Sequence, residues 1–185
     1  MKKHFRILIF ALPFLLASPA FSQSKELVRA IMTNPWVAKY KKLKRDLENK
    51  VAYLKNMDGL PEDKLNAMKK SYTQTQMRLD LWINHLTETV AGGNSDSRER
   101  LAQGDLDDNL KEELRDIFSF YSNDFIFRFE ETTGQNPAYV FDTESSEKNG
   151  NSLNAQELLT EKTDKEALMS RIKNSLEPLS WAAIY

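Results

Sequence analysis

The sequence predicts an all-α fold: a helical bundle of about four helices built on a long antiparallel helical hairpin, with an up-down-up-down topology. Three observations carry this expectation. Apolar residues recur at steps of three or four over two long stretches, which is the period of a helix face. Only Asp58-Gly59-Leu60-Pro61 separates those stretches, and so short a link folds one helix back on the other. The one run that alternates with period two, Phe125-Ile126-Phe127-Arg128-Phe129, follows a helical pattern and has no partner strand, so it is read as helix.

The chain begins with an address. Lys2, Lys3 and Arg6 precede the nearly unbroken apolar stretch Ile7 to Ala17, and Ala20 and Ser22 stand at −3 and −1 of a cut before Gln23. Charged, apolar, small is the order of a secretory signal. As a helix the apolar stretch would cover only ~16 Å, about half a bilayer core, so it is too short to span a membrane. The chain has no cysteine, which excludes a lipid anchor at the cut, disulfides, thiolate nucleophiles and zinc–thiolate sites. We expect residues 1–22 to be removed and residues 23–185 to form a single helical domain, soluble in a periplasm or outside a cell. The absence of an Asn-x-Ser/Thr sequon favours a bacterial source. Cleavage takes three basic and no acidic residues from 26 and 27, leaving 23 against 27.

Ser24 to Met32 is a short amphipathic stretch with Leu27, Val28 and Ile31 on one side. Asn34 and Pro35 then supply the cap and first position of the first long helix. Its face is Trp36, Tyr40, Leu43, Leu47, Val51, Leu54 and Met57. The second long helix follows Pro61 with Leu65, Met68, Tyr72, Leu79, Trp82 or Ile83, Leu86 and Val90 inward. Ala91 to Ser97 is a loop, with a helical turn near Arg98 to Ala102. A third helix from about Asp107 carries acids in its first turn, which suits the helix dipole, and faces inward through Leu110, Leu114, Ile117, Tyr121 and Phe125. A polar loop near 135–152 leads to a fourth helix over about 153–176, and the apolar tail 179–185 is expected to dock.

The residue inventory excludes most catalytic chemistries. His4 leaves with the signal, so His85 is the one histidine of the mature chain, too few for a di-iron carboxylate bundle. His85, Glu88 and Asp80 could form part of a metal or acid–base site, but an exposed histidine beside Leu86 is the simpler reading. No nucleophile elbow, phosphate loop or dinucleotide turn occurs. Glu144-Ser145 matches a dipeptide of helical peptidoglycan-cleaving enzymes, yet its surroundings are all polar and would not raise a carboxyl pKa. The string Glu147 to Glu157 resembles a calcium loop one residue short, with its glycine too early, and is read as a capped helix start. No catalytic residue, cofactor or metal ligand is assigned.

Two uneven features remain. Lys39 to Lys55 holds seven basic residues against Asp46 and Glu48, while Asp105 to Glu131 holds nine acids against Lys111, Arg115 and Arg128. Helices so charged attract each other's rims, or the basic face, through Lys41, Lys44 and Arg45, takes an acidic partner. Nucleic acid is not expected, given the compartment and the acidic mature balance. Aromatics crowd the third helix: Phe118, Tyr121 and Phe125 share one side, and Phe120 and Phe127 another. Two apolar sides mean a central helix, a second contact surface or a lined cavity. The functional expectation is therefore a non-enzymatic exported protein, adaptor or chaperone-like, that binds a protein partner as a monomer or homodimer. The alternative is a carrier with a small apolar ligand held among Phe118, Tyr121, Phe125, Trp82 and Tyr72.

Overall fold

The computed structural model describes residues 20–92, 94–135 and 164–175. No strand occurs among the described residues, and all their regular structure is helical. In chain order the elements are α1 (Ala20–Thr33), α2 (Pro35–Lys55), α3 (Glu62–Ala91), α4 (Ser95–Ala102), α5 (Asp108–Phe120), a π turn (Tyr121–Ile126), α6 (Phe127–Thr133) and α7 (Lys165–Ser175). Residues 1–19 of the expected signal, the loop from residue 136, Glu144-Ser145, the calcium-like string and the C-terminal tail lie outside the described residues. More helices are present than the four expected. A single residue, Asn34, divides α1 from α2, and the loop after α3 folds into α4.

The caps fall where local chemistry places them. Asn34 Oδ1 accepts the Trp36 amide at 2.9 Å, starting α2, while Asn34 Nδ2 donates to the Asp105 carbonyl at 3.1 Å. One buried side chain thus starts a helix and ties it to the loop before α5. After α4 the chain reverses at Gly104, whose φ of +77° suits glycine. There the Asp105 amide returns to the Arg100 carbonyl at 2.8 Å and the Gly104 amide to Leu101 at 3.0 Å, satisfying carbonyls the helix leaves open.

α3 is the element around which the others gather, touching α2, α4, α5, the π turn, α6 and α7. Its buried row is Met68, Tyr72, Leu79, Trp82, Ile83, Leu86 and Val90. Tyr40, near the start of α2, stacks on Trp82, near the end of α3, with ring centroids 5.4 Å apart. Val51 and Leu54 share the wall of a cavity with Leu65 and Met68 at the other end. On its second flank α3 runs against α5, the π turn and α6 in the opposite sense. His85 meets Glu113, Arg78 lies over Phe120, and Lys64 Nζ donates to the Glu131 carbonyl. The Phe125–Phe129 run is helical, as expected from the preceding pattern. The π turn widens the helix by drawing hydrogen bonds from one residue farther along, and Tyr121, Phe125, Ile126 and Phe129 all end up buried.

Trp82 joins three helices. Its indole N–H donates to the Leu110 carbonyl of α5 at 2.8 Å in the interior. Trp82→Phe removes that bond and strands part of a buried carbonyl, and should lower unfolding free energy by about 1–3 kcal/mol. Leu81→Ala, on the exposed side of the same helix, should change it by about 0.5 kcal/mol or less. Urea denaturation followed by circular dichroism checks both. Equal losses would show that α3 is not held through its tryptophan.

Candidate functional site

The basic face of α2 is smaller than its sequence suggests. Lys44 is buried, its side chain 7% exposed, and so does not belong to a solvent-facing partner surface. At about 100° per residue, position 44 falls between Tyr40 and Val37 on the inner arc of the helix, and Val37 is buried as well. Lys41 is half-buried, and its Nζ donates to the Met32 carbonyl at the end of α1 at 3.4 Å; burial lowers its pKa. Arg45 is exposed, as are Lys42 and Lys55. Charge pairing runs largely within each stretch. Lys50 meets Asp46 at 2.6 Å, Lys111 meets Asp105 and Asp108 at 3.1 and 2.8 Å, and Arg115 meets Glu112 at 3.0 Å. α2 and α5 meet around Trp36, where Lys39, Arg115 and Lys111 lie 4.4, 5.2 and 5.9 Å from the ring centre.

The aromatic positions separate cleanly. Phe118, Tyr121, Phe125, Trp82 and Tyr72 are closed into the apolar core. Tyr121 stacks on Phe125 at 5.4 Å, and its hydroxyl donates to Asp46 Oδ2 at 2.7 Å. Phe120 is half-buried beneath the Arg78 guanidinium, which stands 4.4 Å from its ring centre. Phe127 is 56% exposed. On α3, Met77 and Leu81 stand 58% and 63% exposed one turn apart, off the buried row. The structure therefore leaves large apolar side chains outside on α3 and on α6.

Two cavities adjoin this framework. One, of about 320 Å³, opens at the tip of the α2–α3 connection, walled by Val51, Leu54, Leu65, Met68 and Phe125, with Lys55 and Asp58 also on its lining. Of the aromatic set proposed to line a ligand cavity, Phe125 reaches this one. The other, of about 290 Å³, is polar and lies between α3 and the π turn with α6. His85 Nδ1 lies 2.9 Å from both carboxylate oxygens of Glu113, while Glu88 pairs with Lys165 of α7 at 2.7 Å. The grouping of His85 with Glu88 that the sequence allowed but did not favour is thus split between two neighbours, and His85 is partly exposed. Among the described residues no group of three or more His, Asp or Glu side chains could hold a metal ion.

Other buried polar groups carry no signal in a hydropathy pattern. Arg98 of α4 is buried, and its Nε donates to the Val90 carbonyl in the last turn of α3 at 3.0 Å, capping that helix. Thr75 and Thr87 donate to the carbonyls one turn earlier. Known protein families, curated proteins and solved structures give no match to this chain.

Tyr40 and Tyr72 sit between α2 and α3 under the influence of two carboxylates. Burial raises the Tyr40 phenol most, with Asp80 and then Glu48 adding to it. The Tyr72 phenol is pushed up to about 12 by burial, then by Glu48 and Asp80. An unfolded chain releases these protons from the ordinary value of 10.0, whereas the folded chain holds them longer. The stabilisation is complete below pH 10 and is lost as pH rises through about 12. The urea midpoint should fall across that window, and fall less in Tyr72→Phe. A profile equally steep in the variant would count against burial of the phenol.

Proposed function

We propose that this chain is an exported, non-enzymatic helical protein, adaptor or chaperone-like, that binds a protein partner. The reading takes the helices as an up-down-up-down bundle on the α2–α3 hairpin, presented by a monomer or a homodimer. The observation that supports it best is the adjacent exposed pair Met77 and Leu81 on α3, with Phe127 exposed on α6. Large apolar side chains scattered singly are ordinary surface, but a pair one turn apart beside a stacked Arg–Phe contact is what a partner can cover. Arg45, Lys42 and Lys55 offer an acidic partner a second point of attachment. No helix among the described residues is long and apolar enough to cross a membrane.

Export makes its own prediction. The mature chain collected outside the cytoplasm should begin at Gln23, and N-terminal sequencing reads this directly. That cut falls in the first turn of α1 and leaves Leu27, Ala30 and Ile31, its buried positions, intact. An N-terminus at Met1 would overturn the export reading. For binding, a photo-crosslinker at Leu81 in the native host should trap one discrete protein, and Met77→Ser with Phe127→Ser should remove that product while the helical spectrum is unchanged. Absence of any product from Leu81, Met77 and Phe127 would overturn the partner reading.

The cavity at the tip of the α2–α3 connection supports a second reading, a carrier of a small apolar ligand. Its volume lies at the lower end of the roughly 300–1,000 Å³ typical of ligand pockets. Native mass spectrometry of the chain purified from the exporting cell should then show added mass that leaves on denaturation, and Leu54→Trp should abolish it. A clean polypeptide mass would dispose of this reading and leave the first untouched.

A further inference from the structure

The polar cavity of about 290 Å³ is framed by Ala67, Lys70, Ser71 and Gln74 of α3, Asp124 of the π turn and Arg128 of α6. Its origin is steric. Ala67 and Ser71 are small and one turn apart on the α3 flank, and the helix opposite is widened there into a π turn, a distortion common at functional sites.

Ser71 is the telling residue. It is 1% exposed, and its hydroxyl has no hydrogen-bond partner. Thr33, Thr73, Thr75, Thr87, Thr132 and Thr133 each donate to the carbonyl four residues earlier, which is the easy way for a helical hydroxyl to be satisfied. Ser71 does not, although it lines the cavity. A buried hydroxyl left alone is costly, and an oxygen atom inside the cavity would satisfy it.

The rest of the lining is rich in donors. Arg128 Nε donates to Asp124 Oδ1 at 3.0 Å, which anchors the guanidinium at the cavity, and a guanidinium carries four further N–H donors on its terminal nitrogens. Lys70 adds an ammonium and Gln74 an amide. Two cations against one carboxylate leave a local excess of positive charge. Lys70, Gln74 and Ser71 bring donors from α3 and Arg128 brings them from α6, so a group held between the two helices is met from two sides, which suits a tetrahedral oxyanion better than a planar carboxylate. At ~30 Å³ per water the cavity has room for roughly ten waters, more than a bare phosphate fills. We propose that this cavity binds the phosphate group of a phosphate monoester, with Ser71, Lys70 and Arg128 as its contacts.

The test is a titration of the full exported chain with glycerol 3-phosphate, followed by calorimetry and by amide chemical shifts. Vesicles of phosphatidylcholine with phosphatidic acid form a parallel arm, with vesicles of phosphatidylcholine alone as the blank. Saturable binding of the soluble ester with a Kd below about 1 mM, with shifts centred on residues 67–74 and 124–128, is the expected result. Lys70→Gln and Arg128→Gln should each weaken it at least tenfold and Ser71→Ala severalfold, while acetate should not compete. Saturable binding to the phosphatidic acid vesicles alone, lost in the same variants, would support the site and identify a lipid headgroup as the source of the phosphate. Lys70 is exposed and its replacement leaves the fold intact, so the outcome does not hinge on Arg128→Gln folding. No saturable binding in either arm, or unchanged affinity in Lys70→Gln, would overturn the proposal.

Discussion

Burial of the Trp82 indole between three helices is the interaction on which the remaining packing depends. Its ring lies against Tyr40 of α2, and its N–H reaches the Leu110 carbonyl of α5. A polar hydrogen in the interior must find an acceptor, so the contact fixes how far along α3 the start of α5 sits. From there α5, the π turn and α6 track back along α3 as far as Lys64 and the Glu131 carbonyl. Everything on that flank, including the polar cavity and the Arg78–Phe120 contact, inherits its position from this alignment.

Polar groups inside the fold join elements that apolar packing alone would leave free to slide. Asn34 locks the α1–α2 junction to the loop before α5, Arg98 closes the end of α3 from α4, and Tyr121 hydrogen-bonds Asp46 across from the π turn to α2. Each has a partner because a buried donor or acceptor without one carries a penalty comparable to a lost hydrogen bond. Ser71 and Ser97 depart from that rule, and Ser71 does so at the wall of a cavity. The contrast between Ser71 and the back-bonded threonines gives the cavity a chemical meaning that its shape alone would not.

The candidate surface was partly legible in the sequence. Steps of three and four separated Phe120 and Phe127 from Phe118, Tyr121 and Phe125, and set Met77 and Leu81 off the buried row of α3, because a helix sorts side chains by angle whatever packs against them. Lys44 was legible too, had angle been weighed above charge: it stands between two buried positions. Arg98 was not. Nothing local marks an arginine as the cap of a helix that ended before it. The polar cavity was equally hidden, since Ala67, Ser71 and Arg128 are unremarkable apart and matter only when α3 and α6 lie side by side.

By itself, the sequence determined the helical class, the positions of the long helices and their inner faces. These are local properties, set by periodic hydrophobicity, by Asn34 with Pro35 at one junction and by Gly59, at a φ of +76°, with Pro61 at another. Tertiary structure alone decided which inner faces meet, that α3 would be central, and that the aromatic run of the third long helical stretch would bend through a π turn. Those outcomes depend on residues far apart in the chain competing for the same buried volume, and one-dimensional periodicity carries no record of that competition.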